Sequence, residues 1–402
     1  MITPPSILRL DNLLPREPLL MMGAGPVPLP SRVAQANSIV INHLGDTMAK
    51  VVDQLKKMAR YVFQTRSEFL LGVAGPGSAA MEMAIVNLVE PGDEVLAVCN
   101  GYFSRRMAEM AGRVGGRVTI IEVPNNQTAT LDMVDKHLRS GRYKTLTIVQ
   151  GETSNTVHNL HLPQISKLAH SLGCAVIVDA VCTLSTMPLE MDNWQIDAVI
   201  TGGQKGLSSI PGVSLIAFSE FAWHRITQRT APKSHWCLDA LLADQFWNKG
   251  SYHYTAPVSG ILALHEALYL VCDETLAQRF ARHDVCSKAL QKGIQAMGLT
   301  LMVPESVRLN SVIGIQIPED ISPDRVRAHM SAVHQVEISG SFGLHIVRVG
   351  QMGEQCRAHN LFRTLHALGT SVQHEGVTLD LPKGLSEMER WLTKDFDLTH
   401  VN

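Results

Sequence analysis

Apolar residues along this chain fall into two rhythms. Short unbroken runs, bounded by glycine, proline or polar residues, predict buried strands; longer stretches at helical spacing predict amphipathic helices. Residues 51–63 place Val51, Leu55, Met58 and Val62 on one stripe, with Lys56, Lys57 and Arg60 on other faces. Residues 69–73 read as a strand, Ala74-Gly75-Pro76-Gly77-Ser78 as a turn, and residues 79–89 as a helix. Pro91-Gly92-Asp93 leads into a strand at 94–99, and Asn100-Gly101-Tyr102-Phe103 opens a helix with Arg105 and Arg106 in its first turns. The alternation goes on: strand 118–123, helix 131–138, strand 145–150, polar loop 151–156, helix 162–172, then a strand at 174–178 ending in Asp179. Apolar runs at 198–200 and 213–218 flank Thr201-Gly202-Gly203-Gln204-Lys205-Gly206-Leu207. Repeated strand–helix units predict an α/β fold, a mostly parallel sheet with helices on both faces. Residues 218–226 and 261–270 read as helices, with a tryptophan-rich stretch at 236–247 and a turn at 250–257 between them. From 271 onward, helices at 275–297, 323–332 and 358–368 and strands at 311–317 and 346–349 predict a smaller α+β domain. The expected organisation is an N-terminal arm (1–20), a large domain (21–270) and a small C-terminal domain (271–402). The last thirty or so residues are polar and give no clear element.

Ligands of such sheets collect at the carboxyl ends of the strands. Thr153, Asp179 and Lys205 all fall there. A lysine between two buried strands has its pKa lowered by desolvation, and its amine can form a Schiff base with an aldehyde. A lysine that snorkels from a turn gives the same local sequence. Asp179 sits among Ala175, Val176, Ile177, Val178 and Ala180, so its carboxylate needs a partner. A cationic ring nitrogen, a nearby arginine or a capped helix would each serve. The turn before residue 79 can aim backbone N–H groups at an anion, with Ser78 adding a hydroxyl; it reads equally as an ordinary strand-to-helix turn. Met22-Gly23-Ala24-Gly25-Pro26 is a permissive turn where backbone can approach a ligand. Tyr252 and Thr255, three apart, can give hydroxyls to one anion. Arg348, inside the apolar run 345–350, needs a carboxylate, from a ligand or from the protein.

Composition narrows the field. Hydrophobic residues make up 45% and charged residues 18%, enough for a large core. Lys plus Arg is 35 and Asp plus Glu is 37, for a net charge of −2, which argues against nucleic acid or an anionic membrane as the main partner. Seven scattered cysteines without a C-x-x-C spacing read as reduced thiols and not as a disulfide frame or a metal site. No signal peptide at Met1-Ile-Thr-Pro-Pro, no membrane span and no peroxisomal address at Thr399-His400-Val401-Asn402 are expected, which leaves a cytoplasmic protein.

Together these pieces, from Gly23 to Gly353, resemble the class V (subgroup IV) aminotransferases, and within them the alanine–glyoxylate and serine–glyoxylate (or serine–pyruvate) enzymes. The motifs that carry the likeness are Val178-Asp179-Ala180-Val181, Gly203-Gln204-Lys205-Gly206-Leu207 with Pro211-Gly212, Tyr252-His253-Tyr254-Thr255, and Arg348-Val349-Gly350-Gln351-Met352-Gly353. Glu82 with Leu88-Val89-Glu90-Pro91-Gly92-Asp93 adds to them. The resemblance implies the fold type I of pyridoxal 5'-phosphate (PLP) transferases and PLP as cofactor, without a metal. It implies that Lys205 holds PLP and then carries the proton between substrate and cofactor, and that Asp179 faces the pyridine nitrogen. By the same likeness Gly77, Ser78 and Gln204 meet the phosphate, Phe103 stacks on the ring, and Thr153 lies near its 3′ oxygen. Tyr252 and Thr255 would reach the phosphate of a neighbouring subunit, implying a homodimer with shared active sites. Arg348 and Gly25 fall on the substrate side.

The implied reaction is ping-pong transfer of an amino group from a small amino acid, of the alanine or serine type, to a 2-oxo acid such as glyoxylate or pyruvate. Two features depart from the family: Pro76 removes a hydroxyl and an N–H from the phosphate turn, and Gly343-Leu344-His345 stands in a shortened segment before Arg348. Alternatives on the same fold are a lyase, an amine–pyruvate transaminase of the pyridoxamine or aminoethylphosphonate type, and a non-enzymatic regulator. A desulfurase-type lyase needs a mobile cysteine near the small-domain loop, and residues 337–350 hold none.

Overall fold

A computed structural model describes residue 3 and residues 5–394. Met1, Ile2, Pro4 and residues 395–402, with the ending read above for an address, lie outside the described residues. The elements run β1 (Leu20–Met21), α1 (Ser31–Ala36), α2 (Asp46–Phe63), β2 (Leu70–Ala74), α3 (Gly77–Leu88), β3 (Glu94–Cys99), α4 (Tyr102–Arg113), β4 (Arg117–Glu122), α5 (Leu131–Ser140) and β5 (Thr145–Val149). Then come β6 (Gly151–Glu152), β7 (Val157–His158), α6 (Leu162–Ser171), β8 (Ala175–Asp179), β9 (Ala198–Gly202), β10 (Val213–Phe218), α7 (Glu220–Thr227), α8 (Ala240–Trp247) and α9 (Val258–Glu274). The C-terminal part holds α10 (Leu276–Ala296), β11 (Val312–Gln316), α11 (Pro323–His334), β12 (Val336–Glu337), β13 (Ile346–Gly350), α12 (Ala358–His374) and α13 (Leu381–Lys394).

The main sheet has seven strands in the order β2-β10-β9-β8-β5-β3-β4. All neighbours are parallel except β10, which runs antiparallel to both β9 and β2. Strands β5, β8, β9 and β10 are buried along their whole length, because helices cover both faces. This architecture leaves the carboxyl ends of β8 and β9 side by side, with Asp179 paired to Ile200 in register. Helix α2 buries Met48, Val52, Leu55, Ala59 and Val62 and ends where Gln64 turns left-handed; of the expected stripe Leu55 and Val62 are buried, while Val51 and Met58 flank that face half-buried. Lys56 departs from the expectation of a solvated face: it is buried, and its amine donates to the Glu68 carbonyl at 3.0 Å.

A second core gathers Leu290, Ile294, Ile313, Ile315, Met330 and Val347 around the antiparallel pair β11–β13. Met22 belongs to this core, and β1 pairs with β12, so the chain enters the second core before it builds the first. Residue 22, within the large domain expected from the sequence, thus packs with the smaller one. The polar C-terminal stretch yields α13, whose Met388 and Leu392 join the second core. It crosses α10 closely: a Cβ on Gly293 would lie 3.0 Å from the Gly384 carbonyl, so glycine sets the approach. Among the described residues no helix is long and apolar enough to cross a membrane.

Candidate active site

Lys205 follows β9 by a tight turn. Its side chain lies along Gly25, where a Cβ would fall 2.7 Å from both Cδ and Nζ. Gly25 has φ +96°, so any side chain there would be strained as well as blocked. The Lys205 amine donates to the Ala24 carbonyl. Burial lowers its pKa, the charge of Arg348 lowers it further, and Cys182 and Asp179 oppose the shift.

Asp179 closes β8 at 6% exposure. Its Oδ1 accepts the Val181 N–H at 2.7 Å. Burial pushes the carboxyl up from 3.8 to about 7, with Glu152 adding to the rise and the Val181 bond, Lys205 and Arg106 opposing it. Among the described residues Asp179 forms no ion pair, so the local arginine partner left open by the sequence is not present.

Gly77 and Ser78 open α3 behind Pro76. Their backbone N–H groups find no acceptor among the described residues, as expected at a helix N-terminus. A Cβ on Gly202 would lie 3.3 Å from the Gly77 nitrogen and 2.9 Å from Gln204 Oε1, so the Gln204 amide and the Gly77 N–H converge there. Gln204 Oε1 is buried without a hydrogen-bond partner.

Phe103 lies in the first turn of α4, and Glu152 fixes that turn. One oxygen of Glu152 accepts the Phe103 N–H at 3.2 Å, and the other accepts the Ser104 N–H at 2.9 Å. Ser154 Oγ donates to the same carboxylate at 2.6 Å. The stretch 151–156, predicted as a polar loop, is therefore a fully buried hairpin turn in which Glu152 and Ser154 bond each other and α4, while Asn155 Oδ1 has no hydrogen-bond partner. Glu152 was missed as a site-building residue because its partners lie some fifty positions away.

Arg348 stands in β13 and reaches across to the first core. Its Nε donates to the Gly340 carbonyl at 2.7 Å and its Nη1 to the Thr153 carbonyl at 2.6 Å. Burial lowers its pKa to about 10, so it stays charged at neutral pH. No protein carboxylate lies within ion-pair distance of it among the described residues, and Nη2 makes no hydrogen bond to the protein. Beside it, Phe342 stacks on Tyr102 at 4.1 Å with the rings 4° from parallel, and Ser341 Oγ donates to the Ser154 carbonyl at 2.7 Å.

The fold thus brings together Gly25, Gly77, Ser78, Thr153, Asp179, Gln204, Lys205 and Arg348, with Phe103 at the edge. It does not bring Tyr252 and Thr255 to this group. Both are exposed, Tyr252 at 61%, and the Tyr252 ring meets His43 edge-on at 6.0 Å.

Comparison with known proteins agrees with this arrangement. The family model for aminotransferase class-V matches residues 31–361. The alanine–glyoxylate aminotransferase of Oryctolagus cuniculus is 33% identical over 384 residues, covering 93% of this chain and 97% of that protein. The crystal structure of alanine–glyoxylate aminotransferase from Nostoc sp. superposes with a TM-score of 0.87 at 32% identity, over 91% of this chain and 100% of that one. That of ureidoglycine–glyoxylate aminotransferase from Bacillus subtilis gives 0.91 at 29% identity, over 94% and 99%. The matched region holds Lys205, Asp179 and Arg348, and the chain belongs to the class V aminotransferases.

Proposed function

We propose that this enzyme transfers the amino group of a small amino acid, alanine first, to glyoxylate, using PLP held by Lys205. The residues present fit that cofactor. The unpaired N–H groups of Gly77 and Ser78 offer a phosphate cradle, to which the adjacent Gln204 amide would turn its NH2. The space above Gly25 accommodates the Lys205 side chain, and the ion-pair-free Asp179 is matched to a protonated ring nitrogen. Bound there, PLP supplies an aldehyde that condenses with amines and a ring that accepts electrons from the substrate Cα.

The protein's own groups do the rest. Arg348 grips the substrate carboxylate through its free Nη2 edge, with Nε and Nη1 fixed by the Gly340 and Thr153 carbonyls so that the fork does not swing. The lowered pKa of Lys205 leaves a larger neutral fraction of its amine, which, once Nζ is free of the cofactor, would take the proton from the substrate Cα and pass it to the cofactor's aldehyde carbon. Asp179 stabilises positive charge on the ring nitrogen, and in doing so regains the ionised form that burial otherwise disfavours. Phe103, held by Glu152, forms the floor on which a flat ring stacks.

The observation that carries this reading is the convergence, at the ends of β8 and β9, of a desolvated lysine and a carboxylate without an ion pair with an arginine from β13 that has no carboxylate within ion-pair distance among the described residues. Glyoxylate is favoured as acceptor because both kinds of relative named above use it by name. A desulfurase-type reaction is disfavoured. Cys182 is buried with Sγ donating to the Gly151 carbonyl at 3.2 Å, and burial pushes its thiol up to about 12.

We also infer a homodimer and a cytoplasmic location. The exposed Tyr252 and Thr255 would then serve the partner's phosphate site, and the arm residues Ile7, Leu8, Leu10, Leu13 and Leu14, all exposed on one chain, would find cover. The test is a half-reaction. Protein supplied with PLP should show an absorbance band near about 420 nm that Lys205→Ala lacks. L-alanine should bleach that band and glyoxylate restore it. Absence of the band in the wild-type protein would end this reading; bleaching by another amino acid in preference to alanine would replace the donor.

A further inference from the structure

Arg105 and Arg106 stand next to each other on α4 and are used differently. Arg105 is exposed and paired with Glu122, its Nη1 donating at 2.8 Å. Arg106 points the other way. It has no carboxylate within ion-pair distance among the described residues. Its guanidinium lies over the rings of Phe103 (4.9 Å) and Tyr102 (5.1 Å), and its Nη1 donates to Ser78 Oγ at 2.8 Å. Ser78 belongs to the first turn of α3, where the helix dipole is positive and two N–H groups are unpaired. A half-buried cation aimed at the positive end of a helix is unfavourable unless an anion lies between them. The turn itself is depleted, because Pro76 offers neither an N–H nor a hydroxyl.

We propose that Arg106 is a phosphate-binding residue of the cofactor site, supplying a charge that offsets the donors lost at Pro76. The proposal rests on the PLP reading above. The aromatic pair under the guanidinium restricts its swing, and the Ser78 hydroxyl, which accepts from Arg106, has its proton free to point at the same anion.

The experiment compares two aldehydes on the cofactor-free protein, PLP and pyridoxal, which lacks the phosphate. Binding is read from the absorbance band and from quenching of tryptophan fluorescence, without turnover. Arg106→Gln should weaken PLP by about 10- to 100-fold, the effect of removing one charge-assisted hydrogen bond, and pyridoxal by less than about threefold. Arg106→Lys should recover part of the preference for PLP. Inorganic phosphate should raise the melting temperature of the cofactor-free wild type more than that of Arg106→Gln. Equal losses for PLP and pyridoxal, or no loss for either, would overturn the phosphate role and leave the aminotransferase reading intact. A wild type that binds neither aldehyde would instead sink the reading beneath it.

Discussion

Replacing Asp179 by asparagine should make the cofactor-free protein more stable at pH 8 while abolishing its activity. The folded chain holds this carboxyl at about 7 against an ordinary 3.8, chiefly because it is buried. Between those values the folded state binds the extra proton, so stability falls as pH rises. The penalty is absent below 3.8, grows through the interval and is complete above about 7. At ~1.4 kcal/mol per pH unit it reaches roughly 4 kcal/mol at pH 8 and roughly 1.5 kcal/mol at pH 5. Asparagine keeps the shape and can still accept the Val181 N–H, but carries no charge to desolvate. Urea unfolding of the two cofactor-free proteins should therefore separate them by ~4 kcal/mol at pH 8 and by much less at pH 5. Saturating PLP should reverse the order at pH 8, since only the carboxylate pairs with a charged ring nitrogen. A difference that does not change with pH, or a less stable asparagine variant at pH 8, would refute the argument that burial sets this carboxyl.

Three further outcomes follow from the geometry. Glu274 is the shared partner of the buried Arg279 and Arg282, so Glu274→Gln should cost about 3–5 kcal/mol in thermal unfolding at neutral pH. Its carboxyl is held at about 2 in place of 4.5, against burial, by those arginines; the ~3 kcal/mol this contributes is complete above 4.5 and lost as pH falls toward about 2, which acid unfolding should trace. Arg348→Ala should raise KM for amino acids at least about thirtyfold and leave simple amines nearly unchanged; equal losses would make it a structural residue. Gly25→Ala puts a methyl group where Lys205 Cδ and Nζ now lie, so kcat should fall at least about tenfold, with the absorbance band shifted or lost; the strained backbone at φ +96° should also lower the melting temperature.

The sheet was legible because its strands are buried on both faces and read as mostly apolar runs with few polar residues, as at 145–149, 175–179 and 213–218. Helix α2 was legible from its helical spacing, although it starts earlier, at Asp46 behind Gly45, and its buried face is centred on Met48, Val52, Leu55 and Ala59 and not on the expected stripe. Other features depend on contacts far apart in sequence. Glu152 looks like a loop acid until Phe103 and Ser104 come against it, and Arg348 looks like half of a salt bridge until no carboxylate is found within ion-pair distance of it among the described residues. Arg106 cannot be told from Arg105 by local pattern, since both lie in the first turns of one helix and only the fold sends them to opposite sides. Helix α13 was hidden by its polar outer face; Met388 and Leu392 disclose it only against α10.

The pairing of β1 with β12 bears on how the chain is made. Leu20 and Met21 leave the ribosome early, but Val336 and Glu337, their hydrogen-bonding neighbours, emerge roughly 300 residues later. At ~5–20 residues per second the wait is roughly 15–60 s. Through that time Met22 lacks the packing that will bury it completely, while the seven-stranded sheet can already be assembling around it. The nascent polypeptide must therefore keep its beginning tethered but unfinished, and a ribosome stalled before residue 336 would display an apolar thread that chaperones or proteases can seize.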